Sequence, residues 1–170
     1  DSRVRASLPT LRYLLSQNAK IILVAHLGRP KGQVNPKYSL KPVVDVLASL
    51  LGKPVAFADD CVGPKAKEAV DQLKPGDVLL LENLRFHPEE EKNDAIFGKS
   101  LASLAEVFVQ DAFGAVHRAH ASTSQVPANL PSAAGDLLEK ELKFLSNLKS
   151  SPVRPYMAIL GGAKVADKIG

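Results

Sequence analysis

The chain has 170 residues and a mass of 18.2 kDa; it is 45% hydrophobic and 24% charged, which is typical of a folded domain and excludes a disordered or fibrous chain. Its single cysteine, Cys61, excludes an internal disulfide framework, and its apolar runs are far shorter than the ~20 residues of a membrane span. The net charge of +4 is uneven, with +6 in residues 1–40 and −3 in residues 81–120. Few aromatic residues accompany these basic residues, so a small anion is favoured over nucleic acid as the partner.

Hydrophobic periodicity and turn residues predict helices that alternate with short apolar strands along the chain. The predicted helices cover residues 3–17, 39–51 with Ser39 as the cap, 65–73, 93–104 and 136–148 with Asp136 as the cap. The predicted strands cover residues 21–25, 55–57, 78–81, 107–109 and 157–160. Residues 114–131 are expected to be irregular apart from short pieces. Strands that are apolar on both faces and alternate with helices indicate a doubly wound, Rossmann-like parallel sheet in a three-layer αβα arrangement.

Polar clusters follow the predicted strands directly. They are residues 26–30, residues 82–86, residues 111–120 and residues 161–164. Ligands of open α/β sheets bind at the carboxyl ends of the strands, so Arg29, Arg85 and Arg118 are expected to meet at one edge. Guanidinium groups suit phosphate and carboxylate. The pattern therefore predicts a site for a small phosphorylated or carboxylated ligand.

Each of these residues also has a structural interpretation. His26 at a strand end is typical of a hydrogen-bonded structural histidine. Arg29 before a proline can be a solvated loop residue, and Arg85 can pair with the nearby Glu82. Only their joint occurrence at strand ends favours a site.

Four further groups of residues give weaker indications of function. His117 and His120 are three residues apart, but a metal would need a third ligand, so a metal site is not predicted. Residues 89–91, all glutamates, are expected to form a solvated loop or helix start. Cys61 is expected to be a small buried hydrophobe. The glycines and Lys164 of residues 161–164 suit an oxyanion at a helix N-terminus, although this segment is neither a Walker A loop nor a dinucleotide fingerprint.

Taken together, the motifs resemble the phosphoglycerate kinase family, in its order and spacing along the whole chain. They are HLGRPKG at 26–32, ENLRF at 82–86, EEEKND at 89–94, DAFG at 111–114, HRAHAST at 117–123 and LGGAKVADKIG at 160–170. The resemblance implies two doubly wound domains joined by a helical hinge. It also implies an enzyme that transfers a phosphoryl group between 1,3-bisphosphoglycerate and ADP, giving 3-phosphoglycerate and ATP, with Mg²⁺.

The resemblance also implies roles for individual residues. The residues expected to bind 3-phosphoglycerate are Arg3, His26, Leu27, Gly28, Arg29, Arg85 and Arg118. Arg3 and Lys164 are expected to be catalytic: Arg3 resembles the arginine that reaches the transferred group, and Lys164 resembles a lysine at the nucleotide phosphates. The residues expected at the nucleotide phosphates are Gly162, Ala163, Lys164 and Lys168. The protein ligand for Mg²⁺ is expected outside this chain.

The same resemblance predicts how the chain is organised. Residues 1–135 are expected to form the 3-phosphoglycerate-binding domain without its opening strand. Residues 136–152 are expected to be the hinge helix and linker, and residues 153–170 the start of a nucleotide-binding domain. We therefore expect a fragment that is inactive alone, from a monomeric enzyme of the cytoplasm or a plastid, with no nucleic acid or membrane partner. The competing interpretation is a non-catalytic anion-binding α/β module.

Overall fold

A computed structural model describes residues 2–157 and 159. The chain divides into two compact units, residues 1–139 and residues 140–170. The α-helices are α1 (Ser2–Ser16), α2 (Val43–Leu51), α3 (Gly63–Asp71), α4 (Pro88–Glu91), α5 (Ala95–Ala102), α6 (Phe113–Val116), α7 (Val126–Asn129) and α8 (Asp136–Ser150). The strands are β1 (Ile21–Leu23), β2 (Ala56–Ala58), β3 (Val78–Leu81), β4 (Phe108–Gln110) and β5 (Ser132–Ala134). Two 3₁₀ turns, Pro36–Tyr38 and Leu84–Phe86, and a π-helix, Ala121–Gln125, complete the described elements.

The three-stranded sheet has the order β1-β3-β2 with all strands parallel, and Ile21 pairs with Val78 while Ala56 pairs with Leu79. All four residues of β3 are buried, because this central strand is covered on both faces. Side chains alternate between the faces of a strand. Accordingly, Leu79 and Leu81 belong to one hydrophobic cluster and Val78 and Leu80 to another.

The helices complete a layer on each face of this sheet. On one face, Leu11 of α1 and Leu47 of α2 pack with Val78 and Leu80. On the other face, α3 contributes Ala66, and α5 contributes Phe97 and Leu101. This is the three-layer arrangement predicted from strands that are apolar on both faces.

The described elements differ from the sequence prediction at β4. Phe108–Gln110 forms a separate parallel pair with β5, Ser132–Ala134, a strand that was not predicted. Ser132–Ala134 is exposed along its length and has only small side chains, so it lacks the apolar pattern that marks the other strands. The predicted strand at 157–160 includes residues 158 and 160, which lie outside the described residues.

Two predicted helix caps are also wrong. Ser39 does not cap α2, which begins at Val43, because a residue before a proline avoids the helical region and Lys41 precedes Pro42. For α8, the acceptor for the N–H groups of Leu137 and Leu138 is Asp111 Oδ1, at 2.9 and 3.3 Å, rather than the side chain of Asp136. The helix predicted from residue 93 is α5, which begins at Ala95 and is capped by Asp94, whose Oδ1 accepts from Phe97 N at 2.8 Å.

Across residues 2–157 and 159, the helices all lack either the length or the apolar character that crossing a bilayer would require.

Candidate functional site

The segments that follow β1 and β3 lie side by side, because the two strands are parallel neighbours and end at the same edge. Main-chain hydrogen bonds join them: Leu84 N donates to Ala25 O at 3.1 Å, and Gly32 N donates to Arg85 O at 3.3 Å. The polar residues predicted at these two strand ends are therefore held against each other.

The buried side chain of Asn83 connects these segments by hydrogen bonds. Asn83 is not among the site residues predicted from the sequence. Its side chain is 1% exposed, and its Nδ2 donates to Leu27 O at 2.8 Å and to Tyr38 O at 2.9 Å. Its Oδ1 accepts from Arg85 N at 3.0 Å. An amide that is both donor and acceptor can satisfy all three main-chain groups at once. The sequence signal that could have indicated this role is an asparagine two residues beyond the end of an entirely apolar strand.

Gly28 is required by the same local packing. Its φ of +65° lies in the left-handed region, and a Cβ at this position would overlap the ring of Tyr38. Its carbonyl oxygen accepts a hydrogen bond from Arg85 Nη1 at 2.8 Å. Leu27 and Arg29, on either side, are exposed, and within the described residues no contact fixes the side chain of Arg29.

Among the predicted site residues that the structure describes, Arg85 is the most deeply buried, at 4% exposure. The alternative that it pairs with Glu82 is wrong. Glu82 accepts from Ser39 Oγ, Leu40 N and Asn83 N at 2.6 to 2.8 Å, whereas Arg85 Nε lies 3.4 Å from Glu91 Oε1. Arg85 Nη2 is buried and has no hydrogen-bond partner among the described residues. A buried guanidinium with an unused donor is costly unless an acceptor completes it, and an anion would do so.

The pKa of His26 is affected by positive charges from several parts of the chain. It is lowered from 6.5 to about 4, first by partial burial and then by the positive charges of Arg85, His120, Arg118 and Arg3. These groups come from α1 and from the segments after β3 and β4, so three parts of the chain bring positive charge close to one imidazole. Because like charges disfavour protonation, His26 is neutral at neutral pH and can donate or accept a hydrogen bond there. The prediction that Arg29 faces the same surface stays a prediction.

The segment that carries Arg118 is anchored by a carboxylate that the sequence analysis placed in solvent. Glu90 does begin a helix, as predicted, but it is 2% exposed rather than solvated. Its Oε2 accepts from Ser122 N at 2.9 Å, its Oε1 accepts from Ser122 Oγ at 2.6 Å, and His120 Nδ1 lies 3.9 Å from Oε1. Sequence could not indicate this, because three consecutive glutamates usually form a solvated face.

One group of described residues has the side chains of a metal site: ligand atoms of Asp60, Cys61 and His87 lie within 4.8 Å of one another. His87 Nε2 and Asp60 Oδ1 already share a hydrogen bond of 2.7 Å. Burial, followed by the charges of Asp60 and Glu90, raises the pKa of the Cys61 thiol, which therefore keeps its proton. This group is a thiol and imidazole set and does not fit Mg²⁺, which prefers oxygen ligands.

The predicted nucleotide-side residues, Gly162, Ala163, Lys164 and Lys168, lie outside the described residues. The structure therefore bears only on the side of the site expected to bind 3-phosphoglycerate.

The family suggested by the motifs is also the one that comparison with known proteins finds. The profile of the family described as "Phosphoglycerate kinase" matches residues 1–170. A phosphoglycerate kinase of Moorella thermoacetica is 59% identical over 169 residues, covering 99% of this chain and 43% of the relative. A chloroplastic phosphoglycerate kinase of Volvox carteri is 57% identical over 170 residues, covering 99% of this chain and 37% of the relative. The crystal structure of phosphoglycerate kinase from Pyrococcus horikoshii OT3 superposes with a TM-score of 0.88 at 35% identity, covering 98% of this chain and 42% of that chain. The chain thus spans less than half the length of these relatives.

Proposed function

Because the chain belongs to the phosphoglycerate kinase family, we propose that it supplies the 3-phosphoglycerate half of a phosphoglycerate kinase. The reaction is the reversible transfer of a phosphoryl group between 1,3-bisphosphoglycerate and ADP. The bond between the acyl oxygen and phosphorus breaks while a bond forms between phosphorus and a terminal oxygen of ADP, which leaves a carboxylate and ATP. The observation that carries the proposal is the buried, incompletely bonded guanidinium of Arg85. The lowered pKa of His26, to which partial burial and then the charges of Arg85, Arg118 and Arg3 contribute, supports it.

The proposed site residues act by positioning and by charge. Arg85 and Arg118 would bind the anionic groups of 3-phosphoglycerate, together with the residues of the loop after β1, which are His26, Leu27, Gly28 and Arg29. Arg3 would reach the phosphoryl group that is transferred. Phosphoryl transfer needs orientation and neutralisation of charge more than covalent help. The acceptor carboxylate is already ionised, so the site needs no general base, and a neutral His26 is consistent with this.

The nucleotide side of the proposal depends on residues 161–170. Lys164 and Lys168 would contact the nucleotide phosphates, next to Gly162 and Ala163, and Lys164 would stabilise charge on the moving group. We assign the described residues around Arg85 no part in binding Mg²⁺, because the guanidinium is itself a cation and the nearest carboxylate, Glu91, already faces it. Mg²⁺ would accompany ATP or ADP. We propose a monomer in the cytoplasm, and a plastid is the alternative suggested by the chloroplastic relative from Volvox carteri.

A coupled assay tests this function. In a protein of full family length that carries these 170 residues, ATP and 3-phosphoglycerate should produce ADP in a Mg²⁺-dependent reaction. An oligonucleotide serves as the competing ligand, titrated across salt concentrations. No turnover, together with oligonucleotide binding that weakens steeply with salt, would instead support the anion-binding module.

A further inference from the structure

The four-residue helix α4 contacts the three segments after β1, β3 and β4, which carry all of the predicted substrate residues except Arg3 of α1. Pro88 packs against Gly32 of the segment after β1, so closely that a Cβ on Gly32 would lie 2.7 Å from Pro88 Cβ. Glu91 lies 3.4 Å from Arg85 Nε, in the segment after β3. Glu90 accepts two hydrogen bonds from Ser122, in the segment after β4. One turn of helix therefore links three strand ends.

The contact made by Glu90 is the most demanding of the three. The side chain is almost completely buried, and a buried carboxylate is unfavourable unless hydrogen bonds and charge compensate it. The N–H and the hydroxyl of Ser122 occupy both carboxylate oxygens, and His120 is the nearby basic group. Both compensating residues belong to the segment that carries Arg118.

This segment is connected internally from Ser122 back to Arg118. Thr123 Oγ1 donates to Arg118 O at 2.6 Å and accepts from His120 N at 3.2 Å. Ser122 and Thr123 lie in the π-helix Ala121–Gln125, an uncommon turn that often occurs at functional sites. Fixing Ser122 therefore fixes the main chain of Arg118 through one intervening residue.

We propose that Glu90 is a positioning residue for the substrate site: its carboxylate holds Ser122, and through Thr123 it sets the position of the Arg118 guanidinium. The inference rests on the proposed function, because Arg118 must bind 3-phosphoglycerate for its position to matter. Glu90 itself touches no substrate in this scheme. It couples the segment after β3 to the segment after β4.

The test compares Glu90→Gln with Glu89→Gln, in a protein of full family length that carries these 170 residues. Glutamine preserves the shape of Glu90, but it loses the charge and can accept from only one of the two Ser122 donors. We expect Glu90→Gln to raise the KM for 3-phosphoglycerate about 10-fold with kcat within about 3-fold, because uniform binding is lost. Glu89, the neighbouring glutamate without a described bond to residues 117–123, should change neither constant by more than about 2-fold.

The same substitutions in a protein that also carries Arg118→Ala distinguish loss of positioning from general destabilisation of the fold. In an Arg118→Ala protein, Glu90→Gln should raise the KM by less than about 2-fold further, because the arginine that it positions is gone. Ser122→Ala, which removes only the hydroxyl of the same link, should give a smaller increase that is likewise suppressed by Arg118→Ala. This milder variant decides the question if Glu90→Gln does not fold.

The outcomes are distinguishable. An increase of equal size with and without Arg118 would overturn the inference, while the unsubstituted protein would still support the proposed function. Failure of the unsubstituted protein to bind 3-phosphoglycerate would overturn the proposed function and the inference with it.

Discussion

Arg85 has two partners inside the protein and donors left over. Its Nη1 donates to Gly28 O, its Nε faces Glu91, and its Nη2 is buried without a described hydrogen bond. Arg85 is buried, whereas Arg29 is exposed. The two arginines should therefore contribute differently to stability even if both bind the same ligand.

Replacing Arg85 should weaken binding and also lower stability. Charge-assisted hydrogen bonds to an anion contribute about 1.5–3 kcal/mol, so Arg85→Ala should raise the Kd for 3-phosphoglycerate about 10- to 100-fold. It should also cost about 0.5–1.5 kcal/mol of unfolding free energy, because the hydrogen bond from Arg85 Nη1 to Gly28 O is lost. Titration calorimetry and urea unfolding measure the two effects, with Arg29→Ala as the control that should leave stability within about 0.5 kcal/mol of the unsubstituted protein. An unchanged Kd for Arg85→Ala would contradict the assignment.

His26 predicts a pH dependence of stability with a definite sign. Its folded-state pKa is lowered to about 4 from an ordinary 6.5, so between these values the unfolded chain binds a proton that the folded chain does not. Stability from this group is therefore complete above about pH 6.5 and is lost as the pH falls toward 4. In urea unfolding, His26→Asn should lose less stability than the unsubstituted protein between pH 7 and pH 4.5. Parallel losses in the two proteins over this interval would show that the lowered pKa is wrong.

At the scale of elements, Asp111 joins the end of β4 to the start of α8. Its Oδ1 accepts from Leu137 N and Leu138 N, and Gly135 packs so closely that a Cβ there would collide with this carboxylate. Asp136 N donates to Thr10 Oγ1 at 2.9 Å, which also connects this helix start to α1. The beginning of α8 is thus fixed by side chains from elsewhere in the chain.

Removing this cap should cost more than removing the predicted one. Asp111→Ala should lower the unfolding free energy by about 1–2 kcal/mol, because two N–H groups at the helix start lose their acceptor. Asp136→Ala should cost less, about 0.3–1 kcal/mol, since Asp136 contributes mainly a negative charge near the helix N-terminus. Thermal or urea unfolding of the two variants compares them directly. A larger cost for Asp136→Ala would restore the cap predicted from sequence.

How far sequence predicts these elements depends on how local their causes are. The three strands of the main sheet were predictable because a strand covered on both faces must be apolar throughout, as β3 is. The strand β5 was not, because Ser132–Ala134 is paired by the approach of β4 rather than by its own composition. The same holds in the site: arginines at strand ends are visible in the sequence, whereas the burial of Glu90 depends on a segment about thirty residues away.

At the scale of the whole molecule, the chain covers only part of the family's length. It spans 43% of the Moorella thermoacetica relative. The resemblance implies that the protein ligand for Mg²⁺ lies outside it. Holding both reactants in register can supply about 7–11 kcal/mol of barrier lowering, and the proposed function assigns only the 3-phosphoglycerate side of the site to the described residues.

The 170-residue chain alone should therefore bind 3-phosphoglycerate weakly and should not catalyse transfer. A coupled assay with ATP and 3-phosphoglycerate, run beside a full-length phosphoglycerate kinase, measures this. Turnover within about a hundredfold of the full-length enzyme, with contamination excluded, would contradict the proposal that this chain supplies only the 3-phosphoglycerate side of the site.

The central claim is that 3-phosphoglycerate binds among the positive groups around His26, and the NMR signals of the histidine rings test it most directly. The His26 signal, assigned by its loss in His26→Asn, is followed with pH in a protein of full family length, with and without 3-phosphoglycerate. A bound anion within about 4–6 Å should raise the pKa of His26 by about one unit or more from its value of about 4. His87, hydrogen-bonded to Asp60, serves as the internal control and should show a much smaller change on binding. Saturable binding that leaves the His26 signal and its pKa unchanged would contradict the account.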